Sequence, residues 1–212
     1  MQNSAEVRWF WRDQVSRGIE SWFRSGPFPP GGGVTRQDEY LLDLTQNELG
    51  IKSRGSKAGI ELKGLVATIP KEIQVGAFTA HGQLWAKWTS LSLRLEGLPT
   101  VKVMKTRWLR KFHVKGTEVI EIRLNEAEME LDPTAKPPDQ GCNLEFTQVT
   151  PAKQLRTWST LGIESFGSFA SLENNLRCTI QHLLNNGCLP NLDEAQELSY
   201  PEWLITQDQP AI

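Results

Sequence analysis

A chain of 212 residues with 23 Lys and Arg against 25 Asp and Glu, for a formal net charge of -2, lacks the basic excess of a protein that coats nucleic acid non-specifically. Its hydrophobic share of 39% and charged share of 23% exclude a disordered chain and fit one domain, residues 1–212, with a single buried core. No run reaches the roughly 18 apolar residues of a membrane helix, and Glu6, Arg8, Arg12 and Asp13 interrupt any apolar signal core, so no membrane partner and a cytoplasmic location are expected.

Residues Ser4 to Trp11 predict a first strand, with apolar side chains on both faces. Val15, Ile19, Trp22 and Phe23 then form one stripe at helical spacing over Asp13 to Arg24. The run Gly26-Pro27-Phe28-Pro29-Pro30-Gly31-Gly32-Gly33 excludes both helix and strand and reads as a loop inside the domain. From Val34 the pattern is β, with strands predicted near 35–44, 48–55, 59–67, 73–79, 83–94, 100–113, 117–130 and 141–149. Hairpin punctuation falls at Arg54-Gly55-Ser56-Lys57 and Lys115-Gly116, and a longer loop covers 132–141.

After Pro151 the spacing of Leu155, Trp158, Leu161 and Ile163 predicts helix, continued by Phe169, Leu172, Leu176, Ile180, Leu183 and Leu184 and stopped at Asn186-Gly187. A short acidic helix is expected at Asp193 to Leu198, before a Trp203-Leu204 tail. The class is therefore α+β. About eight antiparallel strands over 1–150 close, or nearly close, into a tunnel-like β-barrel, because so many strands in an open sheet leave exposed edges. Helices pack outside it, and 151–212 form a helical C-terminal segment.

Charges recur at every second position of these strands, where they share one face of a sheet. Arg8, Lys52, Arg54, Lys63, Lys87, Lys105, Arg107 and Arg123 all fall inside predicted strands. Phosphate needs cations fixed in direction, and Arg grips two oxygens at once while Lys adds a point charge. Glu6, Glu61, Glu121 and Glu145 supply carboxylates, which repel phosphate unless a divalent metal bridges the two. An open sheet with paired, solvent-facing charges would give the same alternation. Lys and Glu are poor strand formers, however, so several at strand centres require a compensating reason.

A second cluster interleaves Lys102, Lys105, Arg107, Arg110, Lys111 and Lys115 with Trp108 and Phe112, as a single-strand nucleic-acid surface would. Strand periodicity divides it: Lys105, Arg107 and Lys111 on one face, Lys102, Trp108, Arg110 and Phe112 on the other. His81, His113 and His182 are too scattered for a ligand set or a triad. Gly31-Gly32-Gly33 lacks the Lys-Ser/Thr of a phosphate loop. Cys142, Cys178 and Cys188 have neither a closed disulfide framework nor zinc spacing and read as reduced thiols.

The order of these segments resembles the CYTH domain, or triphosphate tunnel metalloenzymes. Tyr40-Leu41-Leu42-Asp43 leading to Leu49-Gly50-Ile51-Lys52-Ser53-Arg54 is similar to that family's Tyr/Asp strand and following basic strand. Glu61-Leu62-Lys63, Lys105-Thr106-Arg107 and Asn143-Leu144-Glu145-Phe146 resemble its later charged strands, and Trp158 to Gly167 resembles a C-terminal helical segment of some members.

The resemblance implies a tunnel that binds a polyphosphate-bearing small molecule through the cations named above. It further implies Mg or Mn held by Glu6, Glu121 and Glu145, with metal-dependent triphosphate hydrolysis. The first strand departs from the family's Glu-x-Glu-x-Lys: it reads Ser4-Ala5-Glu6-Val7-Arg8, one carboxylate short. Two alternatives stand beside hydrolysis: a non-catalytic module binding an anion or a partner on the same barrel, and an RNA or single-strand binder.

Overall fold

The structure is a computed structural model, described here for residues 1–12, 17–55, 57–131, 138–152, 156–187, 192 and 194–207. In chain order the elements begin with β1 (Gln2–Arg12), α1 (Arg17–Arg24), β2 (Val34–Leu41), β3 (Leu49–Arg54), β4 (Ile60–Thr68), β5 (Ile73–Val75) and β6 (Phe78–Ala80). They continue with β7 (Gln83–Ser90), β8 (Thr100–Lys115), β9 (Glu118–Ile122), β10 (Gly141–Pro151) and β11 (Trp158–Phe166). After a 3₁₀ turn at Phe169–Ser171 come α2 (Leu172–Asn185), β12 (Gln196–Glu197) and α3 (Tyr200–Gln207).

Eight strands form a closed antiparallel barrel. Around the ring β10 is followed by β11, β1, β7, β4, β3, β2 and β8, and β8 pairs back onto β10. The closing ladder is long, from Gly141 opposite His113 to Pro151 opposite Val103, so the ring has no free edge. β9 hangs on β8 outside the ring, β12 adds to β1, and β5 and β6 form a separate hairpin.

The larger apolar core lies outside the barrel. Val7, Trp9 and Trp11 of β1, Leu144 and Phe146 of β10, and Leu161 and Ile163 of β11 project outward. They meet Ile19 and Phe23 of α1, Ile73 of the hairpin, and the stripe Leu172, Leu176, Ile180 and Leu183 of α2. That stripe has the i, i+4, i+8 spacing of one helix face. With the oily faces turned outward under helices, the barrel interior is left to the charged faces.

One end of the interior is filled by α3. Trp203 is fully buried, stacks on Phe10 with centroids 5.1 Å apart, and meets Trp158 edge-on. Leu204, Tyr40, Val103 and Val149 complete this inner cluster.

Several elements differ from expectation. The helix predicted through Trp158, Leu161 and Ile163 is instead β11, so the barrel continues past residue 150. Both of its faces are buried, which hides the two-residue rhythm behind a nearly continuous apolar run. The strand expected over 73–79 turns at Gly76 (φ 60°) and becomes the β5–β6 hairpin. The strand expected over 117–130 ends at Ile122, and the acidic helix expected at 193–198 contains β12, paired with Trp9 and Phe10. The predicted helix start at 13–16, turn residue 56, loop 132–137, Leu155, Cys188 and residue 193 lie outside the described residues. Among the described residues no helix is long and apolar enough to cross a membrane.

Candidate anion tunnel

Strand alternation delivers one charged row after another into the barrel. β1 supplies Glu6 and Arg8, β2 Arg36 and Tyr40, β3 Lys52 and Arg54, and β4 Glu61 and Lys63. β7 supplies Trp85 and Lys87, β8 Lys105 and Arg107, β10 Glu145 and Thr147, and β11 Glu164. Ser199, Tyr200 and Pro201 close the lining from the α3 end. Eight cations thus face four carboxylates around one cavity. Asp38 is fully buried behind them, between Arg36 at 3.1 Å, Lys105 at 3.6 Å and Lys52 at 3.8 Å.

Arg8 organises the centre. Its Nε donates to Glu6 Oε1 at 2.5 Å, its Nη2 to Glu145 Oε2 at 2.9 Å and its Nη1 to Thr160 Oγ1 at 3.3 Å. Glycine at 162 makes this placement fit, since a Cβ there would stand 2.5 Å from the Arg8 Cζ. Lys63 binds Glu6 and lies 3.6 Å from Glu164. Arg107 reaches Glu145 at 3.0 Å and also binds Glu128. Lys52 binds Glu61 at 3.0 Å. Among the described residues Arg54 has no ion-pair partner, and its buried Nε–H has no acceptor.

The network sets the charge states. Burial opposes ionisation of Glu6, but Lys63 and Arg8 outweigh it and hold the carboxyl at about 2. Burial likewise opposes Glu61, and Lys52 and Arg54 bring it to about 2. Glu145, buried beside Arg8 and Arg107, is held well below the carboxylate range. Lys105 moves the other way: burial and the nearby Lys52 push its ammonium well below the ordinary lysine value, against the pull of Asp38. Its Nζ sits 3.6 Å from the Tyr200 ring centroid and donates to the Tyr40 hydroxyl.

A carboxyl with a depressed folded-state pKa contributes stability above its unfolded pKa of about 4.3 and loses it as pH falls through the folded value. Melting temperature is therefore expected to hold from neutral pH to about 4.5, then to drop steeply toward about pH 2 as Glu6 and Glu61 protonate. Circular-dichroism melts across that range check this, and a steep loss already between about pH 6 and 5 would contradict it.

Of the residues expected to act together, Arg8, Lys52, Arg54, Lys63, Lys87, Lys105, Arg107, Glu6 and Glu145 do line one cavity. Two do not. Arg123 is exposed just past the end of β9, and Glu121, also on β9, turns away from the tunnel to pair with Arg110 at 2.7 Å. The physical reason is that β9 lies outside the ring, so its alternation faces no tunnel. Sequence reasoning missed Arg36, whose two-residue spacing to Asp38 and Tyr40 marked it, and Glu164, hidden in the strand misread as helix. Nothing local in the chain points to Tyr200, which arrives from α3.

The donor set does not fit a resident divalent metal. Among the described residues no three His, Cys, Asp or Glu side chains group to hold an ion. Glu6 and Glu145 already share the Arg8 guanidinium, Glu121 is elsewhere, and the Ser4 hydroxyl is buried and unpartnered. Of the expected set Glu6, Glu121 and Glu145, the first and last line the cavity and Glu121 lies outside it. The nucleic-acid surface is also dismantled: Trp108 and Phe112 are buried in the outer core, and Arg110 is buried against Glu121 and the Phe23 carbonyl.

No protein-family model matches the chain, and no curated protein matches it. Among solved structures it is similar to the Pct1 RNA triphosphatase of S. pombe, at TM-score 0.41 and 10% identity, covering 87% of this chain and 82% of that one. The same enzyme in complex with the Spt5 CTD gives TM-score 0.40 and 10% identity over 87% and 83%. At such scores the likeness carries no argument, and the barrel stands on its own strand pairing.

Proposed function

We propose that this barrel binds a polyphosphate-bearing anionic small molecule in its tunnel and holds it with side chains alone. One observation carries the reading: among the described residues eight Arg and Lys side chains converge on a single cavity lined by four carboxylates and backed by Asp38 and Glu128, in a protein whose net charge is -2. Surplus positive charge at low dielectric suits a compact anion of several charges. Arg54 lines the cavity and makes no ion pair within it among the described residues, leaving its guanidinium charge for such a ligand. The resemblance of the charged strands to the triphosphate tunnel family supports the same ligand class.

Metal-dependent hydrolysis is not the reading the site favours. The guanidinium of Arg8 stands between the two carboxylates that would otherwise share a metal, and the carboxylate set is short at Ser4. A non-catalytic binding module fits these residues better than a phosphohydrolase using Mg or Mn.

Isothermal titration calorimetry with inorganic tripolyphosphate in EDTA tests both parts. Saturable binding that weakens with added salt is expected, as ion pairs are screened, with no phosphate released when Mn replaces EDTA. Absence of binding would overturn the proposal. Mn-dependent phosphate release would overturn its non-catalytic part.

A further inference from the structure

The chain after β9 turns back on itself as a tight hairpin. Leu124 bridges to Glu130, the Asn125 amide donates to the Met129 carbonyl, and the Glu128 amide donates to the Asn125 carbonyl. The Asn125 side-chain oxygen accepts from the amides of Ala127 and Met129. A turn of this kind ends on a residue in the left-handed region, where glycine is favoured because it has no Cβ. Here that residue is Glu128, at φ 60°, the one non-glycine with positive φ among the described residues.

The strained residue turns its carboxylate to Arg107, one of the cations lining the tunnel. Arg107 donates to it through Nε at 3.4 Å and through Nη2, while Nη1 donates to Glu145 at 3.0 Å. The Glu128 side chain is only 11% exposed. On β8, Arg107 lies four residues beyond Val103, which packs in the α3 cluster, so Glu128 sits toward the end that α3 does not fill. A glycine would make the turn without strain, so the turn itself gives no reason for a carboxylate there.

The free volume of the tunnel is about 80 Å³. Arg107 lines it. Of the two carboxylates that hold Arg107, Glu145 stands on a barrel strand, whereas Glu128 stands on a strained hairpin tip outside the lining, so Glu128 is the one that can give way without disturbing the ring.

We infer that Glu128 is a built-in competitor anion that occupies Arg107 in the ligand-free tunnel and must be displaced for a polyphosphate to bind, so that it sets the affinity threshold of the site. The inference rests on the proposed anion-binding function. Glu128 acts through Arg107 and is a positioning residue, not one that contacts the ligand.

Titration of tripolyphosphate into the wild-type protein, Glu128→Gln and Glu128→Gly tests it. Removing the competing charge is expected to tighten binding about tenfold in both variants, on the scale of one charge-assisted hydrogen bond. A merely structural Glu128 would instead show equal or weaker binding in both variants, which overturns the inference while leaving the function intact. If neither wild type nor variant binds, the function and the inference fall together. Binding by the variants alone supports the inference and overturns the function as proposed for the wild-type protein.

Discussion

Arg8→Met is expected to lower the unfolding free energy by about 3–5 kcal/mol, the usual cost of removing one partner from a buried ion-pair network. Arg8 is 4% exposed and touches Glu6, Glu145 and Thr160 at once. Methionine of similar length fills the space over Gly162 but leaves two buried carboxylates without their shared cation. Lys63 and Arg107 still neutralise one carboxylate each, so folding survives at a cost rather than failing. Arg8→Lys keeps the charge but cannot reach both carboxylates through a planar fork, and should fall between wild type and methionine. Urea denaturation measures the effect, and a loss below about 1 kcal/mol would show that Arg8 behaves as a surface ion pair. Tripolyphosphate binding should weaken in Arg8→Met as well, because the tunnel loses a fixed cation.

Trp203→Ala is expected to cost about 3–5 kcal/mol, as for other fully buried tryptophans cut to alanine. Trp203 is 0% exposed, stacked on Phe10 and edge-on to Trp158 and Tyr200. Its loss leaves a void between α3 and the barrel wall that the rigid strands cannot collapse to fill. α3 also carries Tyr200, whose ring lies under Lys105 and, at 4.9 Å, under Arg8. The substitution should therefore disturb the charge setting at the blind end of the tunnel, besides lowering stability. Guanidinium denaturation followed by tryptophan fluorescence reads the first effect. An unchanged midpoint would mean that α3 is not held in the barrel end.

Both expectations depend on residues that the chain announces unequally. Arg8 was legible, since it stands two residues from Glu6 in a strand and the alternation places both on one face. Trp203 was legible only as an apolar tail residue, and its place against Phe10 follows from the return of the C-terminus to β1 through β12. Glu164 was lost because β11 is buried on both faces and mimics helical spacing. Glu121 and Arg123 were over-read for the opposite reason: their segment alternates correctly, but it pairs outside the ring.

Which strands carry charge on one face, and hence that a closed sheet has a charged interior, can be read from the chain alone, because the two-residue period is a property of the extended backbone. Tertiary structure alone decided which charged strands join the ring, which carboxylates Arg8 holds apart, where α3 stops the tunnel and where Glu128 meets Arg107. Those are contacts between segments distant along the chain, set by strand order and by packing against helices, and no local period encodes them.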